Sequence, residues 1–447
     1  AAEHGSWHLH VCALIVLEPV DGPIDAERIR ESFVARLPLV PEFACRPQST
    51  LGGLQRPTWE PMPDFDPRAQ VHIVDLPHPA DEAELYERFA RIAAVRLDRS
   101  RPLWDLTIIR GYKGDQAALV FKAHHALVDG VTGMEIALLL LDPSPDAAQP
   151  DVVAPDVANL SPAQRALRVA GEAVRAPLRF ARFGANVTRS LVGAATDAVT
   201  TPRAALPVVD APHTPLNGDL STERRFAVAS TDFTRLSATK SAAGVTVNEL
   251  FLAACGGALR EYLETHGGAP DRPLVSAVPV SLHDETTTGA GSRVAWLFVA
   301  LPTHLSNPMA RVEFAHTASA RAKALRQATA HHRGPTLGET VSPLALGLLA
   351  RAGAGLGLGN RIPPGINVLI SSVAGPATAL YIGGARVASI YPMGPLLMNY
   401  GLNITALRYC DRFDVGVLSC PNRVDKPSLV AQQLANEFDV LAAAVGV

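Results

Sequence analysis

Two periods of apolar residues, near two and near 3.6, alternate along this chain and predict a mixed order of strands and helices. Trp7–Leu17 (WHLHVCALIVL) is rich in β-branched and apolar residues and predicts a buried strand. Asp25–Leu37 carries Ile29, Phe33 and Leu37 four apart, the stripe of an amphipathic helix. Pro38–Asp66, rich in Pro and Gly, predicts a wrap over the surface. Val71–Asp75 predicts a short strand. Asp81–Leu97 predicts a helix with Asp81, Glu82 and Glu84 in its first turn, where the macrodipole favours negative charge. Leu103–Arg110 and Ala117–Ala123 predict two strands around a Gly111–Asp115 turn, and a helix-like apolar run follows at Val131–Leu141.

Beyond Asp142-Pro143-Ser144-Pro145 the pattern changes. Asp146–Asn159 is a Pro/Ala/Asp linker, and Ser161 to about Val199 is a long helical stretch holding Arg165, Arg168, Arg175, Arg179, Arg182 and Arg189 against Glu172 and Asp197. Such a basic amphipathic stretch suits an anionic lipid surface, although the plainer reading is an interdomain helix pair with solvated arginines. A second Pro-rich linker, Thr200–Asn217, leads to a strand at Glu223–Ala229 and a helix at Asp232–Ala243. Thr246-Val247-Asn248-Glu249 is a capping box opening a helix to about Thr265. Strands are expected at Pro273–Val280, Arg293–Leu301, Ile366–Ser372, Ala379–Ile390, Met398–Tyr409 and Arg412–Leu418, with helices at Pro308–Ala330 and Asp425–Val445. Gly338–Gly359 reads as a loose helix or a flap. The expected organisation is a first domain at 1–145, a linker with basic amphipathic helices at 146–217, and a second domain at 218–447, since 447 residues exceed what one core usually organises.

Composition narrows the function. The chain is 48% hydrophobic and 19% charged, with a mean hydropathy of +0.14. A net charge of −3 argues against a nucleic-acid binder that must neutralise many phosphates, while leaving room for a local basic patch around one anionic ligand. Five scattered cysteines without a CxxC pair indicate neither a disulfide framework nor a thiolate zinc site, which fits a reducing, cytoplasmic setting. No signal peptide or membrane-spanning helix is expected. Val387–Leu407 lacks Asp, Glu, Lys and Arg, but its prolines, glycines and asparagines make it buried strand and turn. The chain lacks an initiator Met and opens almost at once into a strand, so a preceding segment is expected.

The chemistry centres on His124-His125-Ala126-Leu127-Val128-Asp129-Gly130, between a predicted strand and a predicted helix. A neutral imidazole at a strand end can take a proton from an alcohol near neutral pH, provided that its tautomer and orientation are fixed. Asp129 can organise the turn, and Gly130 gives the backbone room. His331-His332-Arg333-Gly334 has the pair without the acid or the strand. Adjacent histidines point to opposite faces of a strand, which disfavours a metal site. On spacing alone a catalytic histidine and a structural His–Asp pair both stand. No Gly-x-Ser-x-Gly elbow occurs, and the glycines of 353–359 lack the Lys-Ser/Thr of a phosphate loop.

His124–Gly130 matches the HHxxxDG signature of the CoA-dependent acyltransferase superfamily. Pro102-Leu103-Trp104, the run Asn367–Pro376 (NVLISSVAGP) and Gly401-Leu402-Asn403-Ile404-Thr405 resemble, in order, motifs of bacterial wax ester synthase/diacylglycerol acyltransferases. The chain departs from them in two places: the family's Asn-Asp pair is Asn248-Glu249, and its SNVPGP run is Ser371-Ser372-Val373-Ala374-Gly375-Pro376. The resemblance implies a mixed α/β, two-domain fold like chloramphenicol acetyltransferase, with a tunnel between the domains. It implies His125 as general base, His124 supporting the turn and Asp129 as scaffold. The oxyanion donor would be Asn248, with Ser371 or Asn403 as alternatives. Pro102, Leu103 and Trp104 would shape the acyl pocket or the His loop, and Ser371, Ser372 and Asn403 would line the substrate site.

The expected reaction is transfer of a long acyl chain from acyl-CoA, a substrate rather than a cofactor, to diacylglycerol or a long-chain alcohol, with no metal. A neighbouring alternative is acylation of polyketide or complex-lipid alcohols. From another class, the chain would be a non-catalytic lipid-binding protein. The expected setting is cytoplasmic, with peripheral contact at the inner membrane or lipid droplets.

Overall fold

The computed structural model describes residues 8–48, 57–128, 130–148, 150, 211–281, 294–329, 364–397 and 399–447. Two six-stranded sheets carry the fold, with helices packed on them. The first is built from β1 (His10–Glu18), β4 (Val71–Ala80), β5 (Trp104–Tyr112), β6 (Gln116–His124), β11 (Tyr381–Ile382) and β12 (Ala385–Met393), in the order β11-β12-β1-β6-β5-β4. The second holds β7 (Arg225–Asp232), β8 (Leu274–Ser281), β9 (Val294–Leu301), β10 (Val368–Val373), β13 (Leu402–Tyr409) and β14 (Arg412–Ser419), in the order β7-β14-β13-β10-β8-β9. Two short strands, β2 (Cys45–Gln48) and β3 (Thr58–Pro61), pair separately.

Among the described residues the helices are α1 (Ala26–Arg36), α2 (Glu82–Ala94), α3 (Gly130–Leu140), α4 (Phe233–Ala242), α5 (Val247–Thr265), α6 (Pro308–Thr329) and α7 (Pro427–Ala444). The amphipathic stripe on α1 buries Ile29 and Phe33, as the period of four requires. On α5, Leu250 to Leu259 are all buried, and this helix forms the centre of the second core with Phe413 and Phe438. A Cβ at Gly257 would fall 2.3 Å from the Glu437 carboxyl carbon, so α5 and α7 touch there. Glu437 is ion-paired with Arg311 of α6, and both are buried. No single described helix is long and apolar enough to cross a membrane. The stretch 161–199 lies outside the described residues, as does 338–359.

One expected strand divides in two. Ala379–Ile390 is a tight hairpin, turning at Gly383 and Gly384 with φ of +56° and +86°. A Cβ at Gly383 would meet the Ile29 backbone at 2.8 Å, so the turn presses on α1. The hairpin belongs to the first sheet. β12 pairs antiparallel with β1, Cys12 opposite Met393, although the two are 381 positions apart in the chain. The expected boundaries at 145 and 218 did not anticipate this exchange. Pro38–Asp66 also does more than wrap the surface. Val40 and Phe43 are buried in the first core, and Phe43 stacks on Trp104 with centroids 5.7 Å apart.

β12 also forms the joint between the sheets. The Tyr409 hydroxyl on β13 donates to Val387 O at 3.0 Å and accepts from Leu380 N at 2.8 Å. Asp414 on β14 is fully buried. It accepts from the Ser230 hydroxyl (2.6 Å), Arg412 Nε (3.1 Å) and Ile390 N (3.2 Å). Burial pushes the Asp414 carboxyl up, and the Ser230 and Arg412 bonds pull it back only in part. A Cβ at Gly416 would sit 2.1 Å from Pro392 O, so the strands approach closer there than any side chain allows.

Candidate active site

Three strand ends of the first sheet converge on the histidine pair. β1 and β6 pair with His10 opposite His124, and β5 meets β6 with Trp104 opposite Ala123. His124 N donates to Leu103 O at 2.9 Å, and His125 N donates to Leu9 O at 2.7 Å. The chain then turns sharply. The His124 carbonyl accepts from Leu127 N (2.8 Å) and Val128 N (3.4 Å), while its ring Nδ1 accepts from Ala126 N at 3.0 Å. A ring nitrogen that accepts an N–H carries no proton, so this contact requires the neutral tautomer of His124 protonated on Nε2. His124 therefore serves as the hub of the turn, and the half-buried His125 follows it.

Val128 is buried, and α3 begins at Gly130. A Cβ on Gly133 would meet Val128 Cγ1 at 2.9 Å, so the helix lies close over the turn. Asp129 lies outside the described residues. Past the end of α3, Asp142 exchanges backbone hydrogen bonds with Tyr381 and forms a buried ion pair with Arg36, which also holds the Ser32 hydroxyl at 3.0 Å. The helix after the motif is thereby fastened to α1 and to the hairpin from the far end of the chain.

Pro102, Leu103 and Trp104 sit beneath this loop. Gln70 Nε2 donates to the carbonyls of Pro102 and Trp104, and the Trp104 indole N–H donates to Phe43 O at 2.8 Å. Trp104 is fully buried among Phe33, Phe43 and Phe65. The described contacts thus connect the tripeptide to the histidines through Leu103 O. Lys122, also buried, closes α2 by donating to Ile92 O (3.2 Å) and Val95 O (3.3 Å), and lies 3.5 Å from Asp105. Burial pushes the Cys12 thiol opposite it up to about 12, which leaves no thiolate there to act as a nucleophile.

The second half brings Asn248 and Ser372 together. Glu249 N donates to the Thr246 hydroxyl (3.2 Å) and Thr246 N to Glu249 Oε2 (3.0 Å), the reciprocal box expected at the start of α5. This places Asn248 in the first turn, where the Ser372 hydroxyl of β10 donates to Asn248 Oδ1 at 3.3 Å. Burial raises the Glu249 pKa, but bonds from Thr246 and His316, and the charge of Lys323, outweigh it and hold the carboxyl below the usual range. Ser371 lies opposite Thr405 in the parallel β10–β13 pair. Asn403 is fully buried, its Oδ1 accepting from the Thr405 hydroxyl (2.7 Å) and Gly394 N (3.3 Å), its amide donating to Pro395 O. Those bonds shape the bend after β12 and engage both ends of the amide that the alternative oxyanion role would need.

Sequence reasoning placed Asn367 at the head of the NVLISSVAGP run but gave it no role. It is fully buried, exchanges bonds with Val275 through its backbone and its Oδ1 (2.8 Å each), and donates from its amide to Pro212 O (2.7 Å) and Asn217 Oδ1 (2.8 Å). It aligns β10 and so Ser372. Its signal was present, a polar residue at the head of an apolar run. Gln70 had no comparable signal.

Residues 1–251 match the wax ester synthase/diacylglycerol acyltransferase catalytic domain, and 290–442 match the C-terminal domain of the same family. A Mycobacterium tuberculosis H37Rv protein named as a diacylglycerol O-acyltransferase is 34% identical over 458 residues, covering 100% of this chain and 98% of its own length. Another from that strain, similarly named, is 32% identical over 435 residues, 94% of this chain and 84% of its own. Among solved structures, the wax ester synthase/diacylglycerol acyltransferase of Marinobacter aquaeolei VT8 superposes with a TM-score of 0.68 at 26% identity, over 100% of this chain and 97% of its own. The first condensation domain of the calcium-dependent antibiotic synthetase shares the fold, with a TM-score of 0.55 at 18% identity over 98% and 91%. The motifs in their order, both matched domains and the shared architecture agree: this chain belongs to the wax ester synthase/diacylglycerol acyltransferase family.

Proposed function

We propose that this acyltransferase moves a long acyl chain from acyl-CoA to diacylglycerol or a long-chain alcohol, forming triacylglycerol or wax ester, with His125 as general base. The observation that carries the choice of base is the turn at the strand end. His124 commits its ring Nδ1 and its carbonyl to the turn's own amides, and His125 follows it with its N–H held by Leu9 O. In this scheme His125 takes the acceptor's hydroxyl proton as the alcohol oxygen attacks the thioester carbonyl. The tetrahedral intermediate then collapses, the C–S bond breaks, and the imidazolium returns the proton to the CoA thiolate. Asn248, at the positive end of α5, donates to the oxyanion. The substrates meet in a tunnel between the two halves, and acyl-CoA enters as a substrate.

The test is release of CoA thiol from palmitoyl-CoA with a panel of acceptors including a 1,2-diacylglycerol and hexadecanol, with products identified as esters. His125→Ala is expected to lower turnover by about 10²–10⁴-fold; wild-type thiol release in that variant would refute the scheme. Contact of the arginine-rich 161–199 stretch with an anionic lipid surface belongs to the same proposal. It predicts that neutralising Arg175, Arg179 and Arg182 weakens binding to phosphatidylglycerol vesicles, and unaltered binding would remove it.

A further inference from the structure

The start of β1 carries a second pair of histidines. His8 and His10 are both buried (8% and 3% exposed), with ring centroids 5.2 Å apart. His10 stands opposite His124 in the β1–β6 ladder, and their rings meet edge to face, with centroids 6.3 Å apart and planes at 70°. On its other side His10 Nε2 accepts from Leu97 N at 3.4 Å, in the segment that follows α2. Its neighbour Leu9 supplies the carbonyl that receives His125 N. Leu9, just before β1, and His10, its first residue, thus touch both members of the motif, Leu9 through the backbone of one and His10 through the ring of the other.

From this we infer that His10 is a positioning residue for the acyl transfer. Its ring edge holds the His124 imidazole in the one orientation where Nδ1 accepts from Ala126 N. That bond sets the turn and with it the direction of His125. Without the ring at position 10, His124 is released to turn away, Ala126 N loses its acceptor, and His125 is no longer held in line with the thioester. Misplacement by about 1 Å can cost on the order of 10²-fold in rate. The inference rests on the assignment of His125 as base.

Two variants separate the ring from its anchor. His10→Phe keeps an aromatic edge against His124 and loses the acceptor for Leu97. His10→Gln keeps an acceptor and loses the ring. The expected results are a kcat within about threefold of wild type for His10→Phe, and a fall of about 10–100-fold for His10→Gln with KM within about twofold. In protein labelled with 15N-histidine, the His124 signals of the wild type are expected to show an unprotonated Nδ1, since that nitrogen accepts from Ala126 N. His10→Gln is expected to shift them towards tautomer averaging, and His10→Phe to leave them in place. The opposite order of the two variants, a loss confined to KM, or unchanged His124 signals in His10→Gln would overturn the inference. His125→Ala is measured alongside. If it turns over normally the base assignment fails; if it is inactive while His10→Gln matches wild type, the positioning role alone fails.

Discussion

Asn248 and Ser372 stand 124 residues apart in the second half and share one hydrogen bond. That bond gives their substitutions a signature. With the Ser372 hydroxyl donating to Oδ1, that bond leaves the Asn248 Nδ2 group for the oxyanion role proposed above. Asn248→Ala is expected to lower kcat on the order of 10²-fold and Ser372→Ala by about tenfold. The double variant should be no worse than Asn248→Ala, because the serine has nothing left to orient. Steady-state kinetics on the four proteins checks this, and multiplicative losses would show that the two act separately. Ser372 stands where the family run has Asn. Ser372→Asn is therefore expected to retain more activity than Ser372→Ala.

At the scale of elements, the cap of α5 predicts a pH dependence. Glu249 is held below its ordinary value of 4.5 in the fold, so its ionised form favours folding. That contribution is fully present above the unfolded pKa and is lost as pH falls through the folded one. Glu249→Gln is expected to melt below wild type at pH 7, and the gap should close as pH drops below about 4.5. Melting curves from pH 3 to 7 measure it, and a gap that widened in acid would contradict the assignment. The same cap shows what was legible in advance. Thr246 and Glu249 are three residues apart, and local rules suffice. The amphipathic α1 and the strands around Gly111–Asp115 were legible for the same reason. The β11–β12 hairpin was not. Gly383-Gly384 marked a turn, but the apolar residues on either side read as one strand, and no local pattern says that its partner is β1. Which strand completes which sheet depends on pairings between distant segments. The role of His10 was hidden likewise, and that of Asn367 was only hinted at by its place in the motif, since both depend on neighbours elsewhere in the chain.

Across the whole molecule, the contacts that β12 makes with the second sheet predict that the two halves unfold as one cooperative unit. Tyr409 and Asp414 reach from the second sheet to the backbone of β12, itself part of the first. Calorimetry is expected to give one unfolding transition, and two resolved transitions would show that the joint is weak. Gly416→Ala inserts a Cβ where only 2.1 Å is open to Pro392 O. It is expected to cost about 2 kcal/mol or more and to lower the midpoint for probes in both halves together.

The hairpin also sets a timetable for biosynthesis. The edge of β1 that β12 covers emerges from the ribosome roughly 380 residues before its partner. At about 5–20 residues per second, that leaves the edge uncovered for ~20–75 s. An apolar strand with open N–H and C=O groups on one side is a template for pairing with other chains. Slowing translation downstream of the first sheet is therefore expected to reduce soluble yield, whereas chaperones that shield nascent strands should raise it. The residues that close the first sheet are made long after β1, so a chain truncated before Ala385 would be left with this edge open.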